Sequence, residues 1–251
     1  MKNSVKAIVA ALSSAVICAA PTVATFTGSV AVPAITAEAA SNTATFLYGS
    51  NYGLNGVMFE INKSNRTAAI VGYADSHCTN VTAPETIICS GYTYKVKSVR
   101  DNAFNGVTWI TKVDLSACTY LESIGNAAFK NTKVATIDLN TKLTTIGVDA
   151  FRNTPVTYVK IPGGVKTICN NAFYNCTSLK EIFFQSASVA GLATDTPLKI
   201  QSGAFAYNTK LTHVDTYRKV YNMESGAFRG SNNITWYEGV GRNSFASQYK
   251  K

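Results

Sequence analysis

The hydrophobic pattern of this chain repeats around one dipeptide, Ala-Phe, which occurs six times. The intervals between successive phenylalanines are 25, 22, 22, 32 and 23 residues. An apolar residue stands five positions before each phenylalanine, and most copies have another apolar residue eight positions before it. The phenylalanines are Phe104, Phe129, Phe151, Phe173, Phe205 and Phe228, and the residues five positions earlier are Val99, Ile124, Ile146, Ile168, Ile200 and Met223.

A short strand is predicted after each Ala-Phe pair. Another apolar residue follows each phenylalanine by five or six positions, and the strand comes next. Its predicted inward residues are Val113, Ile137, Val159, Ile182, Val214 and Tyr237. A register held over six copies indicates an internal repeat. One turn of about 22 residues cannot cover its own apolar row, so the turns must stack. The predicted fold is a repeat solenoid of about six turns with short parallel β-strands, covering residues 99–240.

Both ends of the solenoid need covering. At the N-terminal end, Ile87–Cys89 and Tyr92–Val96 predict a β-hairpin that turns at Ser90 and Gly91. Two further strands are predicted at 57–61 and 67–73. Residues 40–98 are therefore expected to form a linker and a small β cap. At the other end, residues 241–251 are expected to form a C-terminal cap.

The first 39 residues predict a secretory signal peptide. Lys2 and Lys6 precede the apolar run Ala7–Ala20, and small residues end at a cleavage site after Ala39. The run has about 14 residues, fewer than the roughly 20 that a membrane-spanning helix needs. The chain is therefore expected to be secreted or displayed on the cell surface, and not to span a membrane.

Net charge favours anionic partners. The chain has 23 basic and 14 acidic residues, and removal of Lys2, Lys6 and Glu38 leaves a net charge of +8. Acidic polysaccharides, wall polymers and acidic proteins all fit such a charge. Nucleic acid is not an expected partner, because the basic residues are scattered rather than gathered on one element.

Five cysteines remain after the predicted cleavage, an odd number for an exported chain. Cys78 and Cys89 flank one turn of the cap and are the candidate disulfide. Cys169 and Cys176 fall in repeat positions near the core and are expected to be free thiols. No pair has the spacing of a zinc site, and no metal or other cofactor is predicted.

The repeat resembles the BspA-like bacterial leucine-rich-repeat family. The resemblance rests on Leu121–Phe129, on Leu143–Phe151, on Ala172–Leu179 and on the hairpin at residues 90–96. It implies a right-handed leucine-rich-repeat solenoid and a secreted or surface protein, often one used in adhesion. Two positions depart from the family pattern. Pro197 stands eight positions before Phe205, where most repeats have an apolar residue, and four repeats lack the glycine that Gly125 and Gly147 place four positions before the phenylalanine. The residues in place of this glycine are Arg100, Cys169, Gln201 and Glu224.

Nothing in the sequence predicts an enzyme. The chain has only two histidines, His77 and His213. His213 precedes Asp215 by two residues on a predicted strand, so both side chains point to one face. No motif places a nucleophile beside them.

The outward residues of the predicted strands are candidates for ligand binding. The early turns present small polar and acidic side chains, whereas the later ones present aromatic ones. The candidate residues are Tyr158, Phe183, His213, Asp215, Tyr217 and Trp236. An exposed aromatic cluster with charge at its rim is typical of a binding surface. Alternatively, some of these side chains pack against the C-terminal cap or against the insertion at Gln185–Pro197, which is either a plain surface loop or a binding element.

The sequence therefore favours a secreted or surface binding module that mediates adhesion or protein or glycan recognition. The expected partner is a host or matrix protein or glycan. The alternative is a structural component of the producer's own envelope, retained on anionic cell-wall polymers by its charge.

Overall fold

Short β-strands make up all the regular secondary structure in the described part of the chain. The structure is a computed structural model, and it describes residues 43–47, 56–73, 79–186, 197–218 and 220–238. No helix in these ranges is long and apolar enough to cross a bilayer. The strands are β1 (Thr43–Leu47), β2 (Val57–Asn62), β3 (Thr67–Tyr73), β4 (Asn80–Thr82), β5 (Thr86–Cys89), β6 (Tyr92–Val99), β7 (Lys112–Asp114), β8 (Ser123–Ile124), β9 (Thr136–Asp138), β10 (Thr145–Ile146), β11 (Tyr158–Ile161), β12 (Thr167–Ile168), β13 (Glu181–Phe184), β14 (Leu198–Ile200), β15 (His213–Thr216), β16 (Val220–Met223) and β17 (Thr235–Glu238).

Most repeats contribute two strands, one to each side of the solenoid. A ten-stranded sheet, which we call the long sheet, runs in the order β1-β2-β3-β6-β8-β10-β12-β14-β16, with β5 paired to β6. On the other side lie a sheet of β4-β7-β9 and a sheet of β11-β13-β15-β17. Strands of successive repeats pair in parallel, for example Val159 with Ile182 and Ile182 with Val214. The predicted parallel strands are confirmed, and the long-sheet strand of each repeat is an addition to the prediction.

The six repeated phenylalanines form one continuous stack through the core. Each is essentially inaccessible to solvent. Successive ring centroids lie 5.0, 5.2, 5.1, 5.2 and 5.1 Å apart, and no two adjacent planes differ by more than 16°. This spacing is close to the separation of about 4.8 Å between paired strands. Each turn therefore covers the phenylalanine of its neighbour, as the repeat pattern predicted.

A tight turn with two left-handed residues surrounds each phenylalanine. These residues stand two positions before it and two positions after it. The first set is Asn102, Ala127, Asp149, Asn171, Gly203 and Gly226, and the second is Gly106, Asn131, Asn153, Asn175, Tyr207 and Gly230. Asparagine tolerates this conformation better than most residues. Asn153 donates to Asn131 Oδ1 at 2.8 Å and Asn175 donates to Asn153 Oδ1 at 2.9 Å, so the turns are also joined by a side-chain ladder. We call these six segments the Ala-Phe turns.

A buried polar column satisfies the backbone carbonyls of the Ala-Phe turns. The hydroxyls of Thr132 and Thr154 each donate to the carbonyl of the phenylalanine three residues earlier, at 2.8 Å. Cys176 occupies the equivalent slot, and its thiol donates to the Phe151 carbonyl at 3.2 Å. Burial raises the pKa of Cys176 to about 11, so this thiol stays protonated and keeps its hydrogen at neutral pH.

The N-terminal cap continues the sheets of the solenoid instead of forming a separate unit. The hairpin β5-β6 turns at Ser90 and Gly91, both left-handed, as predicted. The antiparallel pair β2-β3 joins the long sheet through parallel pairing of β3 with β6. The ring of Tyr73 lies 6.3 Å from that of Phe104 at the first end of the phenylalanine stack.

The cap also reaches the other side of the solenoid. Strand β4 pairs in parallel with β7, and the buried Cys118 thiol donates to the Ala83 carbonyl at 2.8 Å. The predicted signal peptide, the predicted C-terminal cap and most of the insertion lie outside the described residues.

Candidate ligand-binding face

Seven strands expose alternate side chains on one side of the solenoid, which we call the strand face. It comprises β4, β7, β9, β11, β13, β15 and β17 and is about 29 Å long at about 4.8 Å per strand. Two outward columns are aligned by strand pairing within β4-β7-β9 and within β11-β13-β15-β17, and by the repeat between β9 and β11. The first column holds Asn80, Lys112, Thr136, Tyr158, Glu181, His213 and Thr235, and the second holds Thr82, Asp114, Asp138, Lys160, Phe183, Asp215 and Tyr237.

The N-terminal part of the strand face, at β7 and β9, is polar, and its charged side chains lie close to side chains of opposite charge. The Lys112 ammonium lies 3.4 Å from an Asp114 oxygen and 3.6 Å from an Asp138 oxygen. Asp114 also accepts hydrogen bonds from the hydroxyl and the backbone N–H of Ser116, at 2.6 and 3.2 Å. The pKa of Asp114 is lowered, chiefly because the Ser116 hydroxyl donates to the carboxylate. This region therefore presents hydrogen-bonding groups without a large net charge.

The late part of the strand face is aromatic. The rings of Phe183 and Tyr217 lie 5.0 Å apart, and His213 stacks on Tyr237 with centroids 4.2 Å apart. Tyr217 and Tyr237 are 47% and 49% exposed, so these pairs are accessible from solvent. Their geometry is that of attractive aromatic pairs.

Charged and polar groups lie beside these rings. His213 Nε2 lies 3.2 Å from Asp215 Oδ2. Tyr158, 41% exposed, lies on the same face. The pKa of Tyr158 is raised by partial burial and then by Glu181 and Asp215, so the phenol remains a hydrogen-bond donor at neutral pH. We define the aromatic cluster as Tyr158, Phe183, His213, Tyr217 and Tyr237.

The prediction that Trp236 points outward is wrong. Trp236 pairs with Val214, an inward residue, and its ring meets Phe228 edge to face at 5.1 Å. Tyr237 aligns with Asp215 and takes the outward place instead. Trp236 lies eight positions after Phe228, as Val159 does after Phe151, whereas the inward residues of three other repeats lie nine positions after their phenylalanine. Spacing alone therefore fits either Trp236 or Tyr237 as the inward residue.

Two other features of this region were not predicted. Arg218 follows Tyr217, is buried, and donates from its guanidinium to the Pro162 carbonyl at 3.2 Å. The side chain of Gln185 is also buried, beside the segment that leads into the insertion. Arginine and glutamine rarely occupy buried positions, so no sequence pattern indicated either placement.

The described cysteines are of two kinds, free thiols and one disulfide-bonded residue. Cys118, Cys169 and Cys176 are free, as predicted for Cys169 and Cys176. Cys89 is disulfide-bonded, and Cys78, its predicted partner, lies outside the described residues. Burial raises the pKa of Cys118 to about 12. The two most buried thiols are therefore structural hydrogen-bond donors and not nucleophiles.

The described ranges contain no assembled metal site. No group of three histidine, cysteine, aspartate or glutamate side chains there is placed to hold a metal ion. His213 is paired with Asp215 and its ring stacks on Tyr237.

Parallel strands, stacked phenylalanines and repeated left-handed turns define a leucine-rich-repeat solenoid. The chain belongs to the BspA-type leucine-rich-repeat family, whose sequence profile matches six copies over residues 97–235. The predicted resemblance and fold class are confirmed. None of the curated proteins matches the chain.

Solved structures with this fold include two bacterial proteins of low sequence identity. The first is the T. pallidum leucine-rich-repeat protein TpLRR, with 23% sequence identity and a TM-score of 0.59 over 74% of this chain and 80% of that one. The second is the pneumococcal vaccine antigen PcpA, with 18% identity and a TM-score of 0.53 over 78% of this chain and 50% of that one. The chain thus spans about half of the PcpA structure.

Proposed function

We propose that this protein is an exported binding module that recognises a host or matrix protein or glycan through its strand face. The observation that carries the proposal is the aromatic cluster. Exposed aromatic side chains grouped on one face and bordered by charge are enriched at interaction surfaces. Tyrosine in particular supplies a rigid apolar ring together with a hydroxyl, which suits it to dominate binding energy.

Export is the second part of the proposal. The basic, apolar and small-residue segments of the first 39 residues support it. The disulfide at Cys89 supports it as well, because structural disulfides persist mainly in oxidising compartments. One structural neighbour is named as a vaccine antigen, and we carry over from it only the expectation of an accessible location, secreted or on the cell surface.

Retention on the producer's own envelope is the second candidate function. It is favoured by the net charge of +8 that follows removal of residues 1–39. Attraction between exposed charges is screened within about 8 Å at physiological ionic strength. Binding to purified cell walls that disappears in high salt therefore supports envelope retention, whereas salt-resistant binding that depends on aromatic side chains supports the strand face.

The proposal is tested by removing exposed rings of the aromatic cluster. In the purified mature chain, Phe183, Tyr217 and Tyr237 are replaced together by alanine. Affinity for the best ligand on a combined matrix-protein and glycan array should fall by about a hundredfold or more, because aromatic anchors often contribute several kcal/mol each. The melting temperature should remain within a few degrees of the parent, because these side chains are exposed or only half-buried.

A matched control removes exposed apolar side chains outside the strand face. Replacement of Ile88, Tyr92 and Trp109 by alanine deletes side chains of similar exposure and should leave affinity unchanged. Equal loss of affinity in both triple variants would contradict a role for the strand face, and so would a large loss of stability in the first variant alone.

A further inference from the structure

The strand face is interrupted between β9 and β11. Strands β7 and β9 belong to one sheet and β11 and β13 to another, and among the described residues no ladder pairs β9 with β11. A single backbone hydrogen bond, from Thr157 N–H to the Ala135 carbonyl at 3.3 Å, crosses the gap at its start. Beyond that point β9 and β11 remain neighbours, but no ladder of backbone hydrogen bonds in the described ranges joins them.

A depression of about 420 Å³ opens at this interruption. Its volume falls within the range of roughly 300 to 1,000 Å³ that is usual for small-molecule sites. The floor is apolar, because Leu139 is only partly buried and Ile137 keeps 6% of its surface exposed, whereas Val113 and Val159 at the equivalent positions have none. The break in the sheet thus uncovers apolar surface that the other turns hide.

The walls of the depression carry polar groups from both halves of the face. Asp114, Ser116 and Asp138 stand on one side, and Tyr158, Lys160 and Gln185 on the other. Lys112 lies within 3.6 Å of both carboxylates. Two carboxylates are therefore opposed by two ammonium groups, so the site favours neither an anion nor a cation.

Charge balance, hydrogen-bonding capacity and an aromatic wall together indicate the ligand class. Carboxylates accept hydrogen bonds, lysine donates them, and an amide does both. A sugar ring has hydroxyls that donate and accept, as well as C–H surfaces that pack on aromatic and apolar side chains. Lys160 in the lining pairs with Phe183 on the next strand, and Tyr217 follows β15, one strand further, so the Phe183–Tyr217 pair begins about 5 Å and ends about 10 Å beyond β11. That distance lets a ligand of more than one ring reach both places.

We propose that the depression between β9 and β11 binds a neutral oligosaccharide. One sugar ring sits against Tyr158 and above Leu139, with hydrogen bonds to Asp138 and Lys160. The next rings extend toward Phe183 and Tyr217. This inference rests on the proposed function, because it assigns a ligand class to part of the same face.

Calorimetric titration of the purified mature chain tests the inference. The probes are maltotetraose, cellotetraose, mannotetraose and chitotetraose, with tetragalacturonate as a charged comparator. At least one neutral probe should bind, and tetragalacturonate should bind no more tightly than that probe, because the lysines of the site are already balanced by Asp114 and Asp138. Tyr158→Ala and Asp138→Asn should each weaken binding by about tenfold or more, whereas Tyr158→Phe should retain most of the affinity. Tyr92→Ala, which removes an exposed tyrosine of the cap, is the control and should have no effect.

Each outcome decides between the two ideas. Absence of heat with every neutral probe at millimolar concentration overturns the saccharide inference, and so does binding that Tyr158→Ala and Asp138→Asn leave unchanged. If matrix-protein binding still depends on Phe183, Tyr217 and Tyr237 in that case, the proposed function stands without the saccharide. If neither a sugar nor a protein binds the strand face, both are rejected.

Discussion

The two sides of this solenoid differ in how closely their residues repeat from turn to turn. On one side, the Ala-Phe turns and the long-sheet strands that lead into them repeat nearly the same residues in every copy. We call this the Ala-Phe side. The strand face keeps only the inward residues of the pattern, and its outward residues change from acidic to aromatic along the chain.

Contact between turns explains the difference. A phenylalanine of the stack touches the equivalent ring on both neighbours, and Gly147 approaches the Gly125 backbone so closely that a Cβ would lie 2.7 Å from its carbonyl carbon. Any change on the Ala-Phe side is therefore felt by two turns. An outward residue of the strand face meets mainly solvent and its column neighbours, so it can vary with little effect on the packing of the turns.

The largest expected effect comes from breaking the phenylalanine stack. Phe151→Ala should reduce the free energy of unfolding by about 4 kcal/mol, because it leaves a cavity and removes ring contacts with two neighbours. Phe183→Ala, on the strand face, deletes the same atoms but should cost less than about 1 kcal/mol. Urea denaturation of both variants measures the difference. Similar losses in the two would show that the sides are energetically equivalent and would remove the basis of the comparison.

A smaller effect is expected from a single added methyl group. Gly147→Ala places a Cβ against the backbone of the preceding turn, at 2.7 Å from Gly125 C and 2.8 Å from Asn126 N. Backbone cannot yield as a flexible side chain does, so the loss should be about 1 to 3 kcal/mol. Thr136→Val on the strand face also introduces a methyl group and should change stability by less than about 0.5 kcal/mol. A neutral Gly147→Ala would mean that the turns can separate at no cost.

The smallest effect is a difference in thiol reactivity between the cysteines of the cap and those of the repeats. At pH 8 the native mature chain should react with iodoacetamide mainly at Cys169, the only one of the three free thiols that is not fully buried. Burial raises the pKa of all three, to about 12 for Cys118 and about 11 for Cys176, so those two stay both protonated and covered. After denaturation without reduction, mass spectrometry should find Cys118, Cys169 and Cys176 labelled. We propose that Cys78 and Cys89 are bridged, and they should label only after reduction. Labelling of all five without reduction would exclude the bridge.

Much of the fold could be predicted from the sequence, because the same positions of each repeat are apolar and the same positions are buried. The phenylalanine column, the parallel strands and the hairpin at Ser90 and Gly91 all follow from spacing or turn chemistry. The long-sheet strands of the repeats, β8, β10, β12, β14 and β16, were not predicted. Several have only two residues, such as Ser123–Ile124, and a strand that short shows no alternation of apolar and polar positions.

The candidate site was predicted less completely. Tyr158, Phe183, His213, Asp215 and Tyr217 lie on one face, as the alternation predicted, but their role in binding stays a prediction. The orientation of Trp236 was predicted wrongly because the inward strand residue lies either eight or nine positions after the phenylalanine. The apolar Ile234, six positions after Phe228, favoured nine and therefore Tyr237 as the inward residue. The depression depends on a missing ladder between two strands, which is a tertiary feature that no local pattern encodes.

The phenylalanine stack has a consequence for how such a protein changes over time. Intervals of 25, 22 and 32 residues all give the same rise, because Phe104–Phe129, Phe151–Phe173 and Phe173–Phe205 are 5.0, 5.1 and 5.2 Å apart. The length of a turn is thus independent of the spacing between turns. A gene can duplicate, delete or lengthen one turn while the adjoining ones keep their geometry, and recombination in units of one turn can produce a new strand face without redesigning the core.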